Sequence, residues 1–77
     1  MGIGERIKEA RKRAGLSQEE VARRADIGVF SVSRLERGEV TDPHISTLEN
    51  LARALGVSVL YLYAGEEESV GPLAAAR

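Results

Sequence analysis

The sequence contains no cysteine, and this absence excludes several kinds of protein at once. Without thiols, the chain has no disulfide, no thiolate zinc site and no cysteine nucleophile. A chain of 77 residues is also too short to hold a nucleotide-binding sheet beside a substrate domain. A cysteine-free domain of this size must be stabilised by helix packing, by oligomerisation, or by both.

Histidine is nearly absent too, since His44 is the only one in the chain. It follows Pro43 in a predicted loop without an evident acid–base partner, so a solvated or phosphate-contacting role fits it better than catalysis. Residues 66–68 form the only acidic cluster, and such neighbours point in different directions. The sequence therefore predicts no enzyme, no metal site and no cofactor.

Long apolar runs are also missing. The longest nearly apolar segment, residues 57–64, is far shorter than the roughly 20 residues that span a bilayer. Glu5 and Arg6 bring charge at once to the start of the chain, which argues against a secretory signal. We expect a soluble, cytoplasmic protein that binds no membrane.

Charge is unevenly distributed although its sum is only −1. Residues 1–37 carry nine Lys and Arg against six Asp and Glu, whereas residues 38–77 carry two against six. The first half can therefore face a polyanion such as nucleic acid, and the second half is poorly suited to do so.

Two helices are predicted in the first third of the chain. Ile3, Ile7, Ala10 and Ala14 share one helical face, and Gly15 follows as a stop. The sequence from Ser17 to Glu20 has the form of a capping box, which predicts a second helix over residues 18–25. Its apolar face consists of Val21, Ala22 and Ala25.

Three further helices follow. The third is expected over residues 29–37, with Gly28 as its N-cap, Val32 and Leu35 inward, and Gly38 as its stop. The fourth starts at residues 44–46 and ends at Leu55, and the fifth covers residues 59–63 after a Ser58 cap. The inward positions of the fourth helix are Leu48, Leu51, Ala52 and Leu55.

These helices predict an all-α fold, a compact five-helix bundle with no convincing strand. We expect residues 1–65 to form the domain and residues 66–77 to form a flexible acidic C-terminal tail, because the composition changes after Gly65.

The second and third helices lie end to end across a tight turn around Asp26 and Gly28. Ala22 is small where the two helices would cross, and Val32 and Leu35 would pack the third helix back onto the second. This spacing is typical of a helix-turn-helix, whose second helix fits the major groove of DNA, about 12 Å wide.

Four segments together resemble the Cro and phage-repressor type of helix-turn-helix domain, also called the Xre family, with a lambda-repressor-like fold. They are residues 14–22 (AGLSQEEVA), residues 33–38 (SRLERG), Pro43 and residues 48–59 (LENLARALGVSV). The resemblance covers roughly residues 3–65. It implies a transcriptional regulator of the repressor or controller type, acting as a homodimer on near-palindromic operators in double-stranded DNA.

The resemblance also implies roles for individual residues. Side chains that read DNA bases are expected at Val29, Phe30, Ser31 and Arg34. Phosphate contacts are expected at Ser17, Gln18, Arg37, Thr41 and His44. The exposed Phe30 can press on thymine methyl groups, pack in a dimer, or pack against the fourth helix.

Two further expectations concern stability and assembly. The resemblance implies a largely buried ion pair between Arg11 and Glu36, with two independent surface charges as the alternative. Leu60 and Tyr63, together with the edges of Leu55 or Val59, are expected to form a two-fold apolar dimer interface. The alternative is an ordinary, partly exposed terminal helix.

The sequence departs from the family pattern at several positions. Asp26 stands where relatives often have glycine, and Gly28 replaces a Ser or Thr cap. Glu39 and Asp42 are acidic where many relatives carry bases, which predicts fewer phosphate contacts and weaker non-specific binding.

An alternative function stays open at this point. The fold also serves as a protein-binding adaptor or antitoxin-like module, and the acidic second half with its apolar last helix could dock a protein partner. Phage repressors, restriction-modification controllers and biofilm-type regulators fit the sequence equally well.

Overall fold

Local signals set the helix ends in the computed structural model, which describes residues 1–66. Within that range the chain forms five helices and no strand. They are α1 (Ile3–Arg13), α2 (Gln18–Ala25), α3 (Val29–Glu36), α4 (Ile45–Leu55) and α5 (Val59–Ala64). The all-α fold with a helix-turn-helix is therefore confirmed.

Side-chain caps begin two of these helices. The Ser17 hydroxyl accepts from the Glu20 amide at 3.0 Å, and the Glu20 carboxylate accepts from the Ser17 amide at 2.9 Å. The predicted capping box is thus present. At α5 the Ser58 hydroxyl accepts from the Tyr61 amide at 2.9 Å. Asp26 ends α2 in the left-handed region, with a φ of 59°, a conformation that aspartate adopts more readily than most residues.

The core lies where all five helices meet. The α2 helix packs against α3 and α4, while α1 packs against α3 and α5, and α4 also packs against α5. Every residue within residues 1–66 that is buried as a whole, backbone and side chain together, is apolar. These residues are Ile7, Ala10, Val21, Ala22, Ala25, Val32, Leu35, Leu48, Leu51, Ala52, Leu55 and Leu62.

A glycine allows α1 to lie unusually close to α3. A Cβ atom added at Gly4 would stand 1.9 Å from the Leu35 carbonyl oxygen, well inside any real contact distance. Gly4 therefore acts as a close-packing position between the two helices.

Three details differ from the sequence predictions. Ala14 is exposed and caps α1, so it does not extend the buried face that Ile7 and Ala10 form. The α3 helix ends at Glu36 with Arg37 as its cap, and α5 continues to Ala64. Apart from Glu66, the predicted tail lies outside the described residues.

Candidate nucleic-acid interface

The α3 helix has one buried and one exposed side. Val32 and Leu35 point into the core, as predicted. On the other side the Phe30 side chain is 79% exposed, and Val29 and Arg34 are exposed as well. An exposure this large excludes packing of Phe30 against α4 within one chain, which was one of its three expected roles.

All four residues expected to read bases lie on this exposed side, since Ser31 is exposed too. Ser31 and Arg34 also line a shallow cavity of about 170 Å³ between α3 and the start of α4, together with His44. Three of the predicted DNA-contacting residues are therefore brought together there. The cavity walls are completed by Leu35, Val40, Pro43 and Thr47.

Residues Arg37 and Thr41 lie on a different part of the surface. Both line a groove of about 630 Å³ that the N-terminal turn of α1 and Tyr63 help to form. The structure therefore distributes the residues expected to contact phosphate over more than one surface feature.

The cationic side chains at the end of α3 have an anionic partner. Arg37 donates to both carboxylate oxygens of Glu39, at 2.8 and 3.3 Å, and its remaining terminal nitrogen donates to the Ser33 hydroxyl. Arg34 lies 3.6 Å from the same carboxylate. The hydrogen bond from Arg37, followed by its charge and that of Arg34, lowers the pKa of Glu39, so this carboxylate is ionised at neutral pH.

A second carboxylate joins three helices behind α3. Arg11 donates to Glu36 through two nitrogens, at 2.7 and 3.1 Å, and the Gln18 amide donates to Glu36 at 3.0 Å. The Arg11 and Glu36 side chains are only 13% and 3% exposed, so the expected buried ion pair is present. The hydrogen bond with Glu36 raises the pKa of Arg11, although burial opposes this shift.

Gln18 therefore has a structural partner that the sequence did not suggest. Its side-chain nitrogen is committed to Glu36 while its backbone amide lies in the first turn of α2. A helix start offers unpaired amides to an anion, so the position remains suited to phosphate through the backbone.

The α5 helix leaves two large apolar side chains in solvent. Leu60 is 57% exposed and Tyr63 is 63% exposed, whereas Leu62 between them is buried. Leu55 is buried as well, so the expectation that its edge adds to a dimer surface is wrong. Val59 stays partly buried against the core.

Arg6 is a residue whose role sequence reasoning missed. Its guanidinium donates to the Leu62 and Tyr63 carbonyls, both at 2.9 Å, and also to the Met1 carbonyl. It thereby satisfies carbonyls at the end of α5 that the helix leaves unpaired. No sequence pattern predicts this contact, because the acceptors are backbone atoms 56 and 57 residues away.

Other kinds of site find no support in the described part of the chain. Across residues 1–66, the His, Asp and Glu side chains form no group able to hold a metal ion. No helix in this range is long and apolar enough to cross a membrane.

The fold and the α2–α3 arrangement define a helix-turn-helix protein. The family model HTH_3, described as Helix-turn-helix, matches residues 7–62, and the chain belongs to this family. The resemblance inferred from the sequence is therefore confirmed.

Curated relatives are regulators of transcription, in line with the prediction of a protein that is not an enzyme. The HTH-type transcriptional regulator ImmR of Bacillus subtilis (strain 168) is 41% identical over 69 residues, which cover 90% of this chain and 54% of that protein. SinR of Bacillus licheniformis is 39% identical over 67 residues, covering 87% of this chain and 60% of SinR. The chain thus spans little more than half the length of these relatives.

Solved structures of similar proteins include complexes with DNA. The P22 c2 repressor bound to a synthetic operator superposes with a TM-score of 0.80 at 30% identity, covering 86% of this chain and 98% of the repressor chain. SinR in complex with DNA gives a TM-score of 0.76 at 42% identity, covering 78% of this chain and 95% of the SinR chain.

Proposed function

We propose that this chain is a sequence-specific DNA-binding regulator of transcription, of the repressor or controller type, which acts as a homodimer on a near-palindromic operator. The observation that carries the proposal is the exposed side of α3, where Phe30 and Arg34 stand out from a helix whose other side is buried. The operator complexes of similar repressor domains support it. The proposed site of action is cytoplasmic DNA.

Base recognition is assigned to the exposed side of α3. The Arg34 guanidinium can donate two hydrogen bonds to guanine O6 and N7, the commonest specific contact in the major groove. Phe30 and Val29 offer apolar surface to thymine methyl groups, and the Ser31 hydroxyl can bond a base or a phosphate.

Phosphate contacts are assigned to residues on either side of α3. The start of α2, at Ser17 and Gln18, offers backbone amides in a region that favours anions. Arg37, Thr41 and His44 follow α3 and are exposed. Such contacts fix the position of a protein on the duplex without reading its sequence.

Dimerisation is assigned to α5. Leu60 and Tyr63 lie about one helical turn apart and are largely exposed, so together they offer an apolar surface that a second copy of the chain can cover. A two-fold contact between two copies would set two α3 helices roughly 34 Å apart, one turn of DNA.

Selection from a random duplex pool tests DNA recognition. We expect enrichment of a palindrome whose half-sites are about one turn apart. Arg34→Ala should lose preference for that duplex while keeping the circular dichroism and thermal unfolding of the parent. Arg53→Ala removes an exposed arginine from the end of α4 and should keep the preference. Failure to enrich any sequence would contradict the proposal and favour the protein-adaptor alternative.

Sedimentation equilibrium tests the dimer. Leu60→Ser and Tyr63→Ser should each weaken self-association, because each removes apolar area from the proposed contact. Ile45→Ser is the matched control, since Ile45 is 61% exposed but lies on α4. A parent chain that stays monomeric both free and on the selected duplex would exclude the α5 interface.

A further inference from the structure

The turn after α3 brings an acidic side chain back onto the last turn of the helix. Gly38 has a φ of 80°, and its amide donates to the Leu35 carbonyl at 3.1 Å. The Glu39 amide donates to the Arg34 carbonyl at 2.9 Å. This paired pattern is the Schellman motif, in which a glycine in the left-handed region reverses the chain. Backbone hydrogen bonds therefore fix the position of Glu39 beside α3.

The Glu39 carboxylate binds one edge of the Arg37 guanidinium, formed by Nε and Nη2. Both of its oxygens accept from Arg37, at 2.8 and 3.3 Å, and the third guanidinium nitrogen donates to Ser33. The Glu39 side chain is 49% exposed, so the pair is in contact with water and can be exchanged. A DNA phosphate that binds Arg37 through this Nε and Nη2 edge would have to replace the carboxylate, because both anions would use the same N–H groups.

Arg34 interacts with the same carboxylate in a different way. Its Nε atom lies 3.6 Å from Glu39, too far for a hydrogen bond but close enough for charge attraction. Among residues 1–66, its terminal nitrogens have no hydrogen-bond acceptor. The carboxylate thus attracts the Nε atom of Arg34 and leaves its two terminal nitrogens available to a guanine.

We propose that Glu39 is a specificity-determining residue, which competes with DNA phosphates for Arg37 while it positions Arg34 for base contact. The proposal rests on the DNA-binding function proposed above and assigns to Glu39 a role within it. Competition lowers affinity for every sequence, because phosphate contacts are the same on all duplexes. Positioning of Arg34 benefits only duplexes that carry the right base. Together the two effects raise the ratio of specific to non-specific binding.

Asp42 provides a matched control in the same loop. It carries the same charge three residues further on, and it takes part in none of the ion pairs among residues 1–66. Asp42→Asn and Glu39→Gln change the net charge equally. A difference between them therefore measures the loss of the contacts with Arg34 and Arg37 rather than a general change in charge.

Fluorescence anisotropy with the full chain tests the proposal. The probes are a random-sequence duplex and the palindrome enriched by selection, each titrated with KCl. Glu39→Gln should bind the random duplex about three- to tenfold more tightly at low salt. The slope of log K against log salt should steepen by about one unit, as expected for one additional phosphate contact. The palindrome should gain less, so that the ratio of its affinity to that of the random duplex falls. The thermal midpoint of unfolding should stay close to that of the parent, because the lost pair is exposed to water.

Several outcomes would overturn the inference. One is that Glu39→Gln and Asp42→Asn change the affinity and its salt dependence equally. Another is that Glu39→Gln leaves the ratio of specific to non-specific affinity constant. Glu39→Gln made in an Arg37→Gln background should no longer steepen the slope, and an undiminished effect there would also contradict competition at Arg37. If no palindrome is enriched, the proposed function fails. The random duplex alone then decides whether Glu39 competes for Arg37.

Discussion

Two arginine–glutamate pairs lie at the C-terminal end of α3, Arg11–Glu36 and Arg37–Glu39. They differ in burial far more than in the distance between their charged atoms. The shortest Arg11–Glu36 distance is 2.7 Å and the shortest Arg37–Glu39 distance is 2.8 Å. Yet the Glu36 side chain is 3% exposed and the Glu39 side chain is 49% exposed. A short distance therefore does not reveal what an ion pair contributes; its access to water does.

The buried pair acts as a structural joint. Glu36 accepts from Arg11 of α1 and from Gln18 of α2, so one carboxylate of α3 connects three helices. Removing any charge from this joint leaves a partner without compensation in a place that water barely reaches. The exposed pair can instead exchange one anion for another, as the proposed contact with a DNA phosphate requires.

The largest expected effect comes from breaking the buried pair. Glu36→Gln should lower the free energy of unfolding by about 3 to 5 kcal/mol, because Arg11 then keeps a buried charge without its counter-ion. Glu39→Gln makes the same chemical change three residues further on and should lower the urea midpoint far less, because its pair with Arg37 is exposed to water. Urea unfolding followed by circular dichroism compares them. Equal midpoints for Glu36→Gln and the parent would show that burial does not distinguish the two pairs.

The second-largest expected loss of stability concerns the close approach of α1 to α3, which places Arg11 beside Glu36. Gly4→Ala should destabilise by about 2 kcal/mol or more, because the added Cβ would overlap the Leu35 carbonyl oxygen. Gly2→Ala is the control, since an added Cβ there meets nothing within 4 Å and should cost less than about 1 kcal/mol. Alanine normally favours a helix over glycine, so a stabilised Gly4→Ala would refute the close-packing role.

The smallest effect concerns a third carboxylate, that of Glu20, which is half-buried and held by the capping box. The hydrogen bond from the Ser17 amide lowers the pKa of Glu20 from its ordinary value of 4.5. The pKa of Glu20 is lower in the folded than in the unfolded chain, so the ionised carboxylate stabilises the fold fully at pH values above the unfolded pKa. This stabilisation is lost as the pH falls through the folded pKa. Glu20→Gln should therefore flatten the dependence of the urea midpoint on pH below about 5, and an unchanged dependence would contradict the assignment.

Helix ends could be predicted from the sequence wherever the signal is local. The Ser17–Glu20 box, the Ser58 cap and the glycine after α4 each act within a few residues, so they fix α2 and α5 and the end of α4 without knowledge of the fold. Ala14 shows the limit of periodicity, because its spacing fits the buried face although the helix has already ended.

The candidate site was harder to predict where it depends on contacts across the fold. The roles of Gly4 and Arg6 exist only because distant backbone carbonyls come to lie beside them. The sequence identified Glu39 as an unusual charge, but its carboxylate meets Arg37 only through the turn that Gly38 makes. The Arg11–Glu36 pair was expected from the family resemblance, because the spacing of the two residues alone does not predict it.

Nuclear magnetic resonance of the full chain, titrated with the selected duplex, shows directly which arginine–glutamate pair exchanges its anion for DNA. The signals to follow are the arginine Nε–H groups and the backbone amides. We expect large shifts for Arg34, Arg37 and the first turns of α2 and α3, and an unchanged Arg11 signal because Arg11 stays paired with Glu36. Shifts centred on α5 or α1, or an Arg11 signal that moves as far as that of Arg37, would contradict the division between structural and exchangeable pairs.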